Sequence, residues 1–211
     1  VQGLDLDQPA STEAPLEPSP LDPGTLFTGR MQLFRSTDSG DSWTGFRPPG
    51  SPEITRIAVS PVRSGRIYFA VALGAKLFKA DGIGTDLITI SDEPDLAVTS
   101  LHLDPDAENV LYATLADASS QTGRVFKSYD FGQAWEEISP PGLATPSSIV
   151  KDAFGALYIG TSDGVWRSPN DGSSWSAFRN GLAGAGVSAL RVADGTLFAG
   201  TYGRGVFRIP L

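Results

Sequence analysis

The sequence predicts an all-β protein, a five-bladed β-propeller of four-stranded antiparallel blades. Three observations carry this: a repeat of about forty residues, strand-sized apolar runs inside each repeat, and a glycine and proline density that breaks long helices. Five segments share one pattern, an apolar-aromatic pair followed by an apolar-aromatic-basic triplet. They are Leu26-Phe27 with Leu33-Phe34-Arg35, Ile67-Tyr68 with Leu77-Phe78-Lys79, Leu111-Tyr112 with Val125-Phe126-Lys127, Leu157-Tyr158 with Val165-Trp166-Arg167, and Leu197-Phe198 with Val206-Phe207-Arg208. The second aromatics step by 44, 48, 40 and 41 residues, the size of a blade and not of a helical repeat.

The strands follow in order. In the second unit, residues 54–59, 66–72, 76–80 and 87–90 are rich in β-branched and aromatic side chains, and Ser60-Pro61, Gly74 and residues 82–86 punctuate them. The third unit reads 99–103, 110–115, 124–128 and 135–139, and the fourth 147–151, 157–161, 165–168 and 175–178. The repeats are placed at 13–52, 53–95, 96–144, 145–185 and 186–211, in a single domain spanning 1–211. The last unit stops after its third strand. Fourth strands carry two apolar residues three apart (Trp43 and Phe46, Leu87 and Ile90, Trp135 and Ile138, Trp175 and Phe178), and Val1 and Leu4 have the same spacing. Residues 1–12 are therefore expected to supply a linker and an N-terminal strand that closes the last blade.

Sixteen basic residues against 24 acidic ones leave a formal charge of −8, which repels phosphate backbones and anionic lipid. Neither nucleic acid nor membrane insertion is expected, and no apolar run approaches membrane-spanning length. Cysteine is absent and His102 is the single histidine, so disulfides, thiolate sites and His-rich metal clusters are excluded. No metal or cofactor is expected, and the protein is expected to be a monomer. A start at Val1 without a leader reads as a trimmed product, expected to be secreted or periplasmic.

After the third strand comes the most specific motif. Ser36, Asp38, Gly40 and Trp43 recur as Ser128, Asp130, Gly132 and Trp135, and again as Ser168, Asn170, Gly172 and Trp175. A fourth copy, at 80–87, keeps only Gly84 in phase. The Ser and Asp or Asn side chains suit hydrogen bonds to their own turn, Gly supplies positive φ, and Trp packs beside the next strand. The motif resembles the Asp-box, or BNR repeat, S-x-D-x-G-x-x-W. That family's propellers include sialidases, xyloglucan-type glycosidases, sortilin-like receptor domains and assembly factors similar to the photosystem II stability factor. The resemblance implies box turns on the face away from the functional site, and so identifies architecture, not catalysis.

No catalytic residue is assigned. Phe207-Arg208-Ile209-Pro210 resembles a sialidase element in which Arg grips a substrate carboxylate, but Arg208 shares its repeat position with Arg35, Lys79, Lys127 and Arg167. Asp104, Asp152 and Asp194 follow first strands and are read as turn-formers rather than a hydrolytic pair. Tyr68, Tyr112 and Tyr158 are core positions, and His102 is a packed imidazole. The remaining candidates lie on loops opposite the boxes, namely Arg30, Arg47, Asp163, Arg179, Tyr202 and Arg204, with the insertion at 117–123 beside them. Four of these are arginines, which suits an acidic peptide or anionic glycan. The function expected is a non-catalytic binding or scaffold module presenting loops around a propeller funnel to a protein or glycan. The alternative is a carbohydrate-active propeller, glycan-binding or a degenerate glycosidase of sialidase-like type.

Overall fold

Short alternating runs cut by turn residues form antiparallel meanders, and the computed structural model contains five of them. It describes residues 2–3, 14–48, 50, 53–72, 74–81, 85–90, 96–117, 119–178 and 184–211. Sheet 1 is β1 (Leu16–Pro18), β2 (Leu26–Gly29), β3 (Leu33–Ser36) and β4 (Thr44–Phe46). Sheet 2 is β5 (Ile54–Val59), β6 (Arg66–Val71), β7 (Lys76–Asp81) and β8 (Thr85–Thr89). Sheet 3 is β9 (Leu96–Leu103), β10 (Leu111–Asp117), β11 (Gly123–Ser128) and β12 (Glu136–Glu137), and sheet 4 is β13 (Pro146–Lys151), β14 (Leu157–Thr161), β15 (Gly164–Ser168) and β16 (Ser176–Phe178). Sheet 5 has three strands, β17 (Val187–Ala193), β18 (Thr196–Thr201) and β19 (Gly205–Pro210). The inner strands pack in chain order, β1 on β5, β5 on β9, β9 on β13 and β13 on β17. No packing of that extent joins β17 to β1 among the described residues.

A two-faced sheet must bury both faces, and the core accordingly lies between sheets. Phe27 and Leu33 meet Ile54, Ile67 and Phe69; Tyr68 and Leu77 meet Val98 and Leu111; Tyr112 and Val125 meet Ile149 and Leu157; Tyr158 and Val165 meet Val187 and Leu197. The three second-strand tyrosines are fully buried, as their repeat position predicts. The basic residue of each triplet sits directly across the ladder from that aromatic: Arg35 opposite Phe27, Lys127 opposite Tyr112, Arg167 opposite Tyr158, Arg208 opposite Phe198. Cation–π distances of 5.9, 5.2 and 5.8 Å in the first three pairs make this a repeated structural contact.

The closing strand requires a correction. Gln2 lies parallel to Ser42 in sheet 1, not beside β19, with its N–H donating to the Asp41 carbonyl and its own carbonyl accepting from Trp43 N–H at 2.9 Å. The turn entering β4 leaves those two groups without ladder partners, and pairing them is what holds Gln2 there. Val1 and residues 4–12 of that expectation lie outside the described residues.

The three box turns share one backbone. Ser39, Phe131 and Asp171 take φ of 60°, 64° and 58°, and the glycines after them 98°, 88° and 92°. In each turn the Ser hydroxyl accepts the Gly N–H at 2.8–2.9 Å while the Asp or Asn oxygen accepts an N–H four residues on. Trp43 and Trp135 donate to the Gly carbonyl of their own turn, whereas Trp175 reaches back to the Ile138 carbonyl at 2.6 Å and ties sheet 4 to sheet 3. Ser128 is fully buried, so removing its hydroxyl strands the Gly132 N–H. Ser128→Ala is expected to lower stability by roughly 1–3 kcal/mol, read as a fall in urea midpoint at unchanged m-value.

Candidate functional site

A meander alternates its turns between two ends, so the box turns and the first-to-second turns share one face and the second-to-third turns the other. The structure places Arg30 in the β2–β3 turn, Asp163 in β14–β15, and Tyr202 and Arg204 in β18–β19; Arg47 follows β4 at the same end. Arg179 lies outside the described residues. Tyr202 is 71% exposed and its N–H donates to the Gly186 carbonyl at 2.9 Å. Asp163 accepts the Thr161 hydroxyl at 2.5 Å, which closes its own turn. In the 117–123 insertion, Asp117 accepts from the N–H and hydroxyl of Ser119 and the hydroxyl of Ser120, bonds that hold its carboxyl down at about 2.

The carboxylates after the first strands are consumed by structure. Asp152 accepts from Phe154 N–H and Ala156 N–H, both at 2.9 Å, and from the Tyr158 hydroxyl at 3.1 Å. Asp104 is buried against Lys151 Nζ at 2.5 Å and takes the Asp106 N–H. Tyr112 donates to Asp171 at 2.6 Å, and buried Lys127 pairs with the same carboxylate, so the seam between sheets 3 and 4 is bolted by charge. Asp194, at φ 48°, turns β17 into β18. Among the described residues no group of three or more His, Asp or Glu is placed to hold a metal ion.

Sequence reasoning missed a feature shared by the inner strands. Four inner strands carry a β-bulge at the same level, where Thr55, Thr99, Ser147 and Ser188 drop out of register with the second strand. The signal was present, since all four are hydroxyl residues at one repeat position. A bulge turns a carbonyl off the ladder and re-aims the next side chain. In sheet 2 that side chain is Arg56, whose Nε donates to the Thr99 carbonyl and whose Nη1 donates to the Thr55 carbonyl, both at 2.6 Å. Burial within the surrounding strands pulls its pKa down, against an opposing pull from Tyr202 of sheet 5. Arg56 nonetheless remains exposed to solvent.

Grooves also lie between neighbouring sheets, two of them larger than the rest of those described. One of about 410 Å³ separates sheets 1 and 2 and is lined by Phe27, Leu33, Arg35, Phe46 and Ile67. The other, about 530 Å³, separates sheets 3 and 4 beside Tyr129, Glu136, Glu137, Asp171 and Trp175. Neither sits on the face that carries Tyr202.

Comparison with known proteins places the architecture among β-propellers. No family model matches the chain. It is 27% identical over 210 residues to a xyloglucanase of Hypocrea jecorina (strain QM6a), an alignment covering 82% of this chain and 24% of that enzyme. Among solved structures it superposes on an ancestral GH74 enzyme with a TM-score of 0.73 at 17% identity, over 91% of this chain and 28% of the other. Virginiamycin B lyase from Staphylococcus aureus gives 0.68 at 17%, over 92% and 68%. The chain thus spans about a quarter of the length of the xyloglucanase it matches. The fold is that of glycosidase-type and other propellers. No described helix is long and apolar enough to cross a membrane.

His102 sits across the ladder from Tyr112 with its Nε2 buried and unpartnered. Burial holds the imidazole neutral, with its pKa pushed down to about 4; Asp104 pulls the other way and Lys151 adds to the depression. The unfolded imidazole titrates near 6.5, so between there and pH 4 the unfolded chain binds a proton that the folded one does not. Stability therefore falls as pH drops through that window, by about 3 kcal/mol for a shift of this size. His102→Gln is expected to remove this slope, read as the difference in urea midpoint between pH 7 and 4.5.

Proposed function

We propose that the chain is a glycan-recognising part of a carbohydrate-active, exported propeller, with five blade-sized repeats in this chain of which three carry Asp-box turns, and that it binds its ligand on the face opposite the box turns. The observation that carries the reading is the 27% identity to a xyloglucanase over most of the chain, joined to the likeness in fold to a GH74 enzyme. On that face, exposed Tyr202 offers a flat apolar ring of the kind that packs on a pyranose, and Arg30, Arg47 and Arg204 stand on loops at the same end of their sheets. Arg179 is grouped with them by its place in the repeat.

Binding without turnover is favoured by one specific observation. Glycoside hydrolysis requires two carboxyl groups across one cleft. Asp104 and Asp152 are committed to Lys151 and to their own turns, on the box-turn end of the sheets.

Titration of the chain with a xyloglucan oligosaccharide in a calorimeter is expected to give binding without release of reducing ends, and Tyr202→Ala is expected to weaken it roughly tenfold. A glycan array on which nothing binds would remove the reading, and turnover would replace it with a hydrolase.

A further inference from the structure

We infer that Arg56 is a carboxylate-recognition group on the inner strand of sheet 2, and that the glycan taken on this face carries uronic acid. The inference rests on the glycan-binding reading above and names the chemical class of its ligand. Arg56 reaches from the inner strand of sheet 2 to a backbone carbonyl of sheet 3, and it lies within electrostatic reach of Tyr202 on sheet 5.

The guanidinium is held and yet uncompensated. A guanidinium has five N–H donors. Two of Arg56's are taken by the Thr99 and Thr55 carbonyls, which fix the plane of the group and leave three donors on its outer edge. Three more deeply enclosed cations have anions: Arg66 with Asp81 and Glu108, Lys127 with Asp171, Lys151 with Asp104. Arg56 has no ion pair among the described residues, and its two oxygen partners are neutral.

A positive charge taken partly out of water without a counter-ion is costly, and a planar fork with free donors matches a carboxylate in a bidentate pair. The net charge of −8 disfavours anions over most of the surface, so an acidic ligand needs a local cation with donors to spare. Tyr202 adds a ring face for the sugar itself, which argues for a hexuronate over an acidic peptide.

The equivalent positions in the other bulged strands are Ser100, Ser148 and Ala189. The blade can be built with a small side chain there, so the fold does not demand the arginine.

The test titrates the chain with a tri-galacturonic acid, with the same trisaccharide fully methyl-esterified, and with a neutral xyloglucan heptasaccharide. The acid is expected to bind roughly tenfold or more tighter than its ester, Arg56→Gln to abolish that difference, and Arg56→Lys to restore part of it. Equal affinity for acid and ester overturns the inference, as does an Arg56→Gln protein that melts like the parent and keeps the preference. Should the Gln variant not fold, the acid-ester comparison on the parent protein and on Arg56→Lys still decides. Binding of the neutral heptasaccharide with no preference for acid leaves the glycan reading standing and sinks this one. Binding of no saccharide sinks both, and selective binding of a poly-glutamate peptide overturns the inference in favour of a protein ligand.

Discussion

Everything in the molecule depends on the requirement that a twisted sheet with two apolar faces be covered on both. A single four-stranded blade buries little by itself, and its second strand, fully buried in sheets 2 and 4, becomes so only when a neighbour lies on each side. The repeat is the sequence expression of this need. The cross-ladder pair of an aromatic and a basic residue shows how it is met without a purely apolar interior: the aromatic fills the seam while the cation lies over its ring. The same need puts the acid side chains of the box-turn end to structural use. Lys151 with Asp104, and Lys127 and Tyr112 with Asp171, bind sheet 3 to sheet 4 where hydrocarbon alone would leave polar ends unpaired.

The motifs legible in the sequence were those in which one residue type serves one backbone need. Gly40, Gly132 and Gly172 announce a left-handed turn because other residues resist that φ, and the Ser two residues before each Asp or Asn announces who satisfies the turn N–H groups. The buried tyrosines were legible for a similar reason, since their spacing matches the strand that sits deepest in each blade. The residue before each box glycine was not legible. Ser39, Phe131 and Asp171 all adopt positive φ, yet only their neighbours' chemistry sets that conformation, and their types differ because each side chain meets a different partner. Phe131 lies against Arg66, and Asp171 against Tyr112 and Lys127.

The termini show the limit of pattern alone. An apolar residue three before another fits a fourth strand at Val1 and Leu4, and the fifth sheet lacks one among the described residues. The spacing says nothing about competing partners, however, and the backbone groups of Asp41 and Trp43 take Gln2 instead. Four-residue patterns carry no information about which of two edges binds more strongly, because that is decided by the hydrogen-bonding groups each edge leaves open.

The bulges on the inner strands explain why the candidate site was the least legible part. A bulge is a change of register, and no residue type encodes it uniquely; Thr and Ser at positions 55, 99, 147 and 188 look like ordinary strand hydroxyls until the pairing is seen. In a repeat protein, a position that recurs in every unit reports what the architecture needs, and a unit that breaks the recurrence reports something else. Ser100, Ser148 and Ala189 follow their bulges with small side chains, whereas Arg56 follows its own with a cation held between two carbonyls. Packing alone, repeated from blade to blade, would have favoured a fourth small residue. A charge placed on an inner strand, braced by two carbonyls, is a departure that stability does not require, and departures of that kind are where a shared scaffold acquires its individual chemistry.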